Sequence, residues 1–134
     1  MEFGDRLKKA IRRTNMRLMQ SFLAFFYVLD QCYDKCREDD LGGLLGSISP
    51  DLWEDGKPID QAVLNDWRDR NKIELLNNHN ILRAIYDFLE YYQQKFGYNF
   101  SETKVLLEKT VNDEMITRAL DKASEMYQRY DYSD

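Results

Sequence analysis

The chain has 134 residues, of which 43% are apolar and 32% charged, and its formal net charge is −5. This length predicts a single domain over residues 1–134, and this balance excludes a disordered chain. The negative charge is concentrated in residues 38–69, which carry nine acidic and two basic side chains, for a net charge of −7. Such a density disfavours nucleic acid as a direct partner, because phosphate would be repelled, and it favours a basic partner.

The first half of the chain shows helical spacing of apolar residues. Between residues 18 and 36 they recur every three or four positions, which predicts one long amphipathic helix. Asp39 or Asp40 is suited to cap a short following helix through Leu45, and Gly46 is expected to end it. A long acidic loop is then expected from about residue 46 to 59.

Helical patterns continue to the end of the chain. Asp60 is placed to cap the next helix, and Gly97 to end a later one. The helix that follows Ser101 is expected to bury Val105 and Leu106. The predicted helices cover about residues 61–70, 73 or 77 to 96, 102–111 and 113–130. Because no segment alternates as a strand would, we predict an all-α, single-domain bundle of five to six helices with a long acidic loop between helices.

Patterns for metal binding and catalysis are weak. An EF-hand reading of the acidic loop fails because Trp53 and Ala62 fall at its third and twelfth positions, where oxygen ligands are required. His79 is the only histidine and lies in a polar run, so a catalytic triad is not indicated. Cys32 and Cys36 are expected to be core residues in a reduced compartment. We therefore predict no catalytic residue, no metal and no cofactor.

The acidic segment allows two interpretations. Its carboxylates are either an ordinary solvated surface or a docking surface for a basic partner, which would relieve their mutual repulsion and associate quickly. Trp53 either pegs the loop onto the bundle or projects as a contact. The residues predicted to bind a partner are Asp39, Asp40, Asp51, Glu54, Asp55 and Asp60, with Trp53 as the apolar anchor.

A motif runs through this same segment. It reads Asp-Asp-Leu-Gly-Gly-Leu-Leu-Gly-Ser over residues 39–47, then Trp-Glu-Asp-Gly-Lys-Pro-Ile-Asp over 53–60, then Asp66-Trp67. With the aromatic-rich helix before it, the motif resembles immunity proteins of bacterial polymorphic toxin and contact-dependent growth inhibition systems. The resemblance covers about residues 18–70. It departs from the family pattern at Val63-Leu64, where Ala or Pro and then Trp are expected.

The resemblance implies a non-enzymatic inhibitor that binds and neutralises a cognate toxin. Many such toxins are nucleases with a basic active site, which an acidic surface can occupy as a phosphate mimic. The alternative is a helical adaptor or regulatory subunit that binds another cellular protein. A cytoplasmic location is expected, because the apolar run over residues 22–29 is too short for a membrane span and is followed by Asp30 rather than by a small-residue cleavage site.

Overall fold

The computed structural model describes residues 16–53, 58 and 60–130 of the chain. The described residues form six α-helices and no strand, which confirms the predicted all-α bundle. None of these helices is both long and apolar enough to cross a bilayer. The helices are α1 (Leu18–Cys36), α2 (Asp39–Ile48), α3 (Gln61–Arg70), α4 (Ile81–Phe96), α5 (Ser101–Lys109) and α6 (Asp113–Tyr130), with single 3-10 turns at Pro50–Leu52 and Ile73–Leu75.

Helix α1, which is rich in aromatic and aliphatic residues, is the central element. It is buried around most of its circumference and packs chiefly against α6, with α2, α3 and α5 on its other sides. Its buried polar residue, Ser21, accepts a hydrogen bond at 2.9 Å from the Trp67 indole N–H. A helix with apolar residues on several faces is stable only when other helices surround it, and here they do.

An aromatic cluster joins α1 to α3 and α4. The Phe25 ring lies 4.7 Å from the Trp67 ring and 5.0 Å from the Phe88 ring, the second pair in edge-to-face geometry. All three side chains are almost completely buried. Through Trp67 and Phe88, this cluster fixes where α3 and α4 lie beside the central helix.

Helix α2 is longer than the sequence predicts. It passes through Gly46 and ends at Ile48, so the expectation that Gly46 ends it was wrong. Leu44, Leu45 and Ile48 are all buried. Burying each of these side chains contributes about 1.5–3 kcal/mol, which exceeds the roughly 1 kcal/mol that a glycine costs inside a helix.

Helix α4 begins later than predicted, at Ile81 rather than at residue 73 or 77. The backbone N–H of Asn77 donates to the Asn80 side-chain oxygen at 2.8 Å, and the Asn80 amide donates to the Leu75 carbonyl at 2.9 Å. Asparagine side chains that bond to nearby backbone compete with helix formation, and the chain stays in turns here. At the other end Gly97 takes φ of +74° and ends α4 as expected.

Helix α5 turns a different face inward from the one predicted. Thr103 and Leu107 are buried, whereas Val105 is 51% exposed and Leu106 is only partly buried. The expected burial of Val105 was therefore wrong. Thr103 and Leu107 are four residues apart and therefore share one face of this short helix, so the intervening valine faces solvent.

Candidate partner-binding site

The site is built where α1 ends, α2 begins and α5 begins. Arg37 follows α1 in the left-handed conformation (φ 53°), and its backbone N–H donates to the Tyr33 carbonyl. This conformation reverses the chain direction at once, so that α2 can start at Asp39. The turn places Glu38 against the start of α5, although the two are more than 60 residues apart in sequence.

Glu38 is a buried carboxylate, 8% exposed, that caps α5 from outside that helix. It accepts hydrogen bonds from the backbone N–H groups of Glu102 (3.0 Å) and Thr103 (3.1 Å). The Thr103 hydroxyl donates to it as well, at 2.8 Å. The first N–H groups of a helix have no partner within the helix, and that end of the helix favours negative charge. Glu38 is therefore a structural link between the α1–α2 turn and α5.

Asp40 holds the chain that leads into α5. Its carboxylate accepts a hydrogen bond at 2.6 Å from the backbone N–H of Asn99. The Asn99 side chain in turn accepts from the backbone N–H and the hydroxyl of Ser101, at 3.0 and 2.8 Å. Together with Glu38, these bonds fix the two walls of the groove between α2 and α5.

The resulting groove has a volume of about 510 Å³ and a strongly acidic lining. Of its described lining side chains, four are carboxylates and one is a cation, Arg37, whose guanidinium lies over the Tyr33 ring at 5.2 Å. Of the ion pairs between described residues, none includes a carboxylate of this groove. The lining residues are Arg37, Glu38, Asp39, Asp40, Asn99, Ser101 and Glu102. We refer to this set as the acidic groove.

The other acidic residues of the segment 38–69 lie elsewhere. Asp60 caps α3 by accepting from the Ala62 backbone N–H at 3.1 Å, as the sequence predicts. Asp66 accepts a hydrogen bond from the Tyr92 hydroxyl at 2.8 Å. Asp69 alone among the described carboxylates of this segment is ion-paired with a base, its neighbour Arg68. Between the described residues, the negative charge of the segment is thus cancelled by an ion pair only at Asp69, but several of its carboxylates have structural partners.

Asp51 is exposed in the 3-10 turn that follows α2. Its charge acts on Tyr27 of α1, whose pKa is raised to about 12, first by burial and then by Asp51 and Asp30. Helix α2 has ten residues and is therefore about 15 Å long. Asp51 lies beyond one end of it and Asp39 at the other, so the predicted acidic surface is divided between two places.

Trp53 is a core residue rather than an exposed contact. Its ring is stacked on that of Phe22 with centroids 6.3 Å apart, and its indole N–H donates to the Ile48 carbonyl at 2.8 Å. The sequence left two alternatives open for Trp53. The structure shows the one in which its side chain packs into the bundle and anchors the loop. A buried indole cannot serve as the anchor of a partner, and this corrects its place in the predicted site. Glu54 and Asp55 lie outside the described residues.

Five lining residues of the groove are not among the residues that the sequence predicts to bind a partner, namely Arg37, Glu38, Asn99, Ser101 and Glu102. Their only signal is position: Glu38 follows a predicted helix end, and Glu102 stands beside a predicted helix start. Nothing local indicates that these two points meet. Asp39 and Asp40 are the predicted site residues that the structure brings together in the groove.

Of the residues considered for catalysis or metal binding, the structure describes His79, Cys32 and Cys36. His79 is exposed ahead of α4. Cys32 is fully buried, and burial raises the pKa of its thiol to about 12. In the described part of the chain, no three His, Cys, Asp or Glu side chains are grouped as metal ligands.

Neither a protein-family model, nor a curated protein, nor a solved structure matches this chain. The resemblance to immunity proteins therefore stays a prediction. Physical chemistry alone connects the acidic groove with function: a fixed concave surface with four carboxylates is complementary to a cationic ligand.

Proposed function

We propose that this protein is an immunity protein, which binds a cognate toxin domain and neutralises it by covering the toxin's basic active site with an acidic surface. The toxin is proposed to be a nuclease, because nuclease sites carry the cationic side chains that phosphate requires. The observation that carries the proposal is the acidic groove, whose carboxylates have no lysine or arginine partner among the ion pairs of the described residues.

The negative charge of such a groove favours the binding of a cationic partner in two ways. Like charges held close together repel one another in the free protein, and a cationic partner relieves that repulsion on binding. The same field attracts a basic partner from a distance and raises the association rate. A toxin inhibitor must bind its toxin before the toxin binds nucleic acid. A fast association rate therefore matters more to it than any single contact.

The groove is also suited to tight binding because it is already ordered. Glu38 and Asp40 are held by backbone N–H groups at 2.6–3.1 Å, so these carboxylates lose little freedom when a partner arrives. Preorganised surfaces bind more tightly than flexible ones of the same composition, since less entropy is lost. Asp39 and Glu102 complete the groove as exposed charges.

Co-expression with the product of the adjacent gene tests this function. If that product carries a toxin domain, we expect the two proteins to purify together and the toxin to harm cells only when this chain is absent. A non-toxic partner that co-purifies would instead indicate the helical adaptor. Absence of any complex, with both proteins folded, would overturn the immunity assignment.

Charge reversal identifies which acidic segment serves the toxin. The groove variant combines Asp39→Lys with Glu102→Lys, and the loop variant combines Glu54→Lys with Asp55→Lys. Each should weaken toxin binding and slow association if its residues face the toxin. If affinity stays within about twofold for both variants, neither segment forms the acidic surface.

A further inference from the structure

The largest exposed apolar side chains are unevenly distributed over the described surface. Five are prominent, and three of them, Phe96, Tyr98 and Val105, belong to the segment around the start of α5. Phe96 is 50% exposed and Val105 51% exposed. Isolated exposed apolar residues are common, but a cluster beside a charged groove is typical of a protein interface.

One apolar flank continues directly from the acidic groove. A second groove, of about 520 Å³, shares Ser101 and Glu102 with it. The lining of this second groove is mainly apolar, and Lys35 is the one cation among the residues described there. Its lining residues are Lys35, Cys36, Ser101, Glu102, Val105 and Leu106. Because the two grooves share a wall, one ligand can occupy both.

The other flank is aromatic. Tyr98 immediately precedes Asn99 of the acidic groove, and its ring centroid lies 5.6 Å from that of Phe96. On its other side Tyr98 contacts Phe100, which is completely buried and anchors the segment, at 5.8 Å. The exposed aromatic pair is therefore held on a rigid base. Rigid aromatic side chains with one exposed face are the residues that dominate binding energy in protein interfaces.

We infer that residues 35–40 and 96–106 form one docking surface for a basic, amphipathic segment of a partner protein. Lysine or arginine side chains of that segment enter the acidic groove, and its apolar side chains cover Val105 on one flank and Phe96 and Tyr98 on the other. This inference deepens the proposed function and rests on it only for the identity of the partner as a toxin.

Charge complementarity selects this occupant over others. Nucleic acid and anionic lipid would place phosphate against four carboxylates. In a symmetric contact, a second copy of the chain would place the same four carboxylates against this groove. A purely basic peptide would leave the exposed valine and aromatic rings in water, whereas an amphipathic one covers them.

Aspartate substitutions at matched positions test the surface in the natural complex. Val105→Asp and Phe96→Asp place a charge on its two flanks, and Leu52→Asp and Leu75→Asp do the same at side chains 51% and 59% exposed on other elements. With the co-purified partner, we expect the first two variants to weaken binding about tenfold or more and the controls to stay within about twofold. If the partner binds and all four variants behave alike, the docking surface is wrong while the proposed function stands.

A synthetic peptide tests the same surface without the natural partner. The probe is a short helical peptide of repeated Leu-Lys-Lys-Leu units, and its control carries Glu in place of Lys. In a titration of the full ¹⁵N-labelled chain, the lysine peptide should shift amide resonances of residues 35–40 and 96–106, and Val105→Asp should reduce these shifts while Leu75→Asp does not. Shifts spread over the whole chain, equal shifts with the glutamate peptide or no shifts at all would overturn the inference, whatever the outcome of co-expression.

Discussion

The two ends of helix α2 carry similar acidic sequences and have opposite structures. At the first end, Glu38 and Asp40 receive backbone N–H groups from the α5 segment, and the carboxylates line a groove. At the second end, Trp53 is packed into the core and Asp51 stands exposed beside α1. The difference arises because the carboxylates of the first end meet the N–H groups at the start of α5, whereas at the second end Asp60, ahead of α3, donates its own backbone N–H to the Ser47 carbonyl at 3.3 Å.

This comparison shows that acidity alone does not make a groove. Carboxylates gather into a groove where unpaired helix N–H groups draw them together and hold them. Where no such donors are present, an apolar anchor fixes the chain, and the charge at Asp51 adds to that of Asp30. We therefore expect substitutions at the second end to change the stability of the fold. At the first end, some substitutions should change stability and others should change partner binding.

The largest effect is expected at the second end, for Trp53→Ala. This change removes a buried ring stacked on Phe22 and leaves the Ile48 carbonyl without its donor. The free energy of unfolding should fall by about 3–5 kcal/mol, measured by urea unfolding followed by circular dichroism. Asp51→Ala, two residues away, is the control and should change it by less than about 0.5 kcal/mol. A loss below about 1 kcal/mol for Trp53→Ala would mean that the indole does not anchor this end.

The next effect is expected at the first end, for Glu38→Ala. It leaves the N–H groups of Glu102 and Thr103 without acceptors at a buried position, which should cost about 2–3 kcal/mol of unfolding free energy. Asp39→Ala changes an adjacent but exposed carboxylate and should stay within about 0.5 kcal/mol. Equal losses for the two variants would contradict the capping role of Glu38.

The adjacent glycines of α2 should respond in opposite directions. A Cβ added at Gly42 would stand 2.9 Å from the Tyr33 ring, whereas one at Gly43 would meet nothing within 4 Å. We expect Gly42→Ala to lower stability by about 1–2 kcal/mol, because Tyr33 or α2 must shift. Gly43→Ala should raise it by about 0.5–1 kcal/mol, since alanine favours the helix. Thermal unfolding of both variants tests this prediction. If the unfolding temperature moves in the same direction for both, Gly42 is not needed for the close approach of Tyr33 to α2.

The smallest effect is expected for Asp30→Asn near the second end. Burial, and then repulsion from Asp34, raise the pKa of Asp30 above its ordinary value, with Asp51 contributing and Lys122 opposing. A carboxyl whose folded-state pKa is raised stabilises the fold when protonated, and that contribution is lost as the pH rises through the folded-state pKa. At pH 7 the variant should therefore be more stable by about a few tenths of a kcal/mol, because solvent screens a partly exposed group. The difference should vanish as the pH falls below the ordinary aspartate range, and a difference that grows on acidification would contradict the assignment.

Local patterns in the sequence are sufficient to predict the helices whose boundaries depend on nearby residues. The apolar stripe of α1, the Asp60 cap of α3 and the Gly97 stop of α4 are all observed as predicted. The end of α2 and the inward face of α5 could not be predicted in the same way. They depend on the burial of Ile48 and Thr103 against other helices, and tertiary contact overrides the local signal there.

The residues of the candidate site also divide into those that the local sequence predicts and those that depend on tertiary contacts. Asp39 and Asp40 could be predicted because the acidic motif contains them, but their grouping with Glu102 depends on a contact between residues more than 60 positions apart. Trp53 could not be assigned because a tryptophan in a loop can pack inward or project outward with equal local preference. Its burial was decided by the position of Phe22 on α1.

The most direct test of the function proposed for the acidic groove is the rate at which this chain associates with the proposed toxin domain, measured by stopped flow over a range of salt concentrations. The variant that combines Asp39→Lys with Glu102→Lys reverses two exposed charges and leaves the capping carboxylates in place. For the natural chain we predict fast association that slows as salt rises, and for the variant a rate lower by about tenfold or more at low salt with a weaker salt dependence. Identical rates and salt dependence for the two folded proteins would contradict the account.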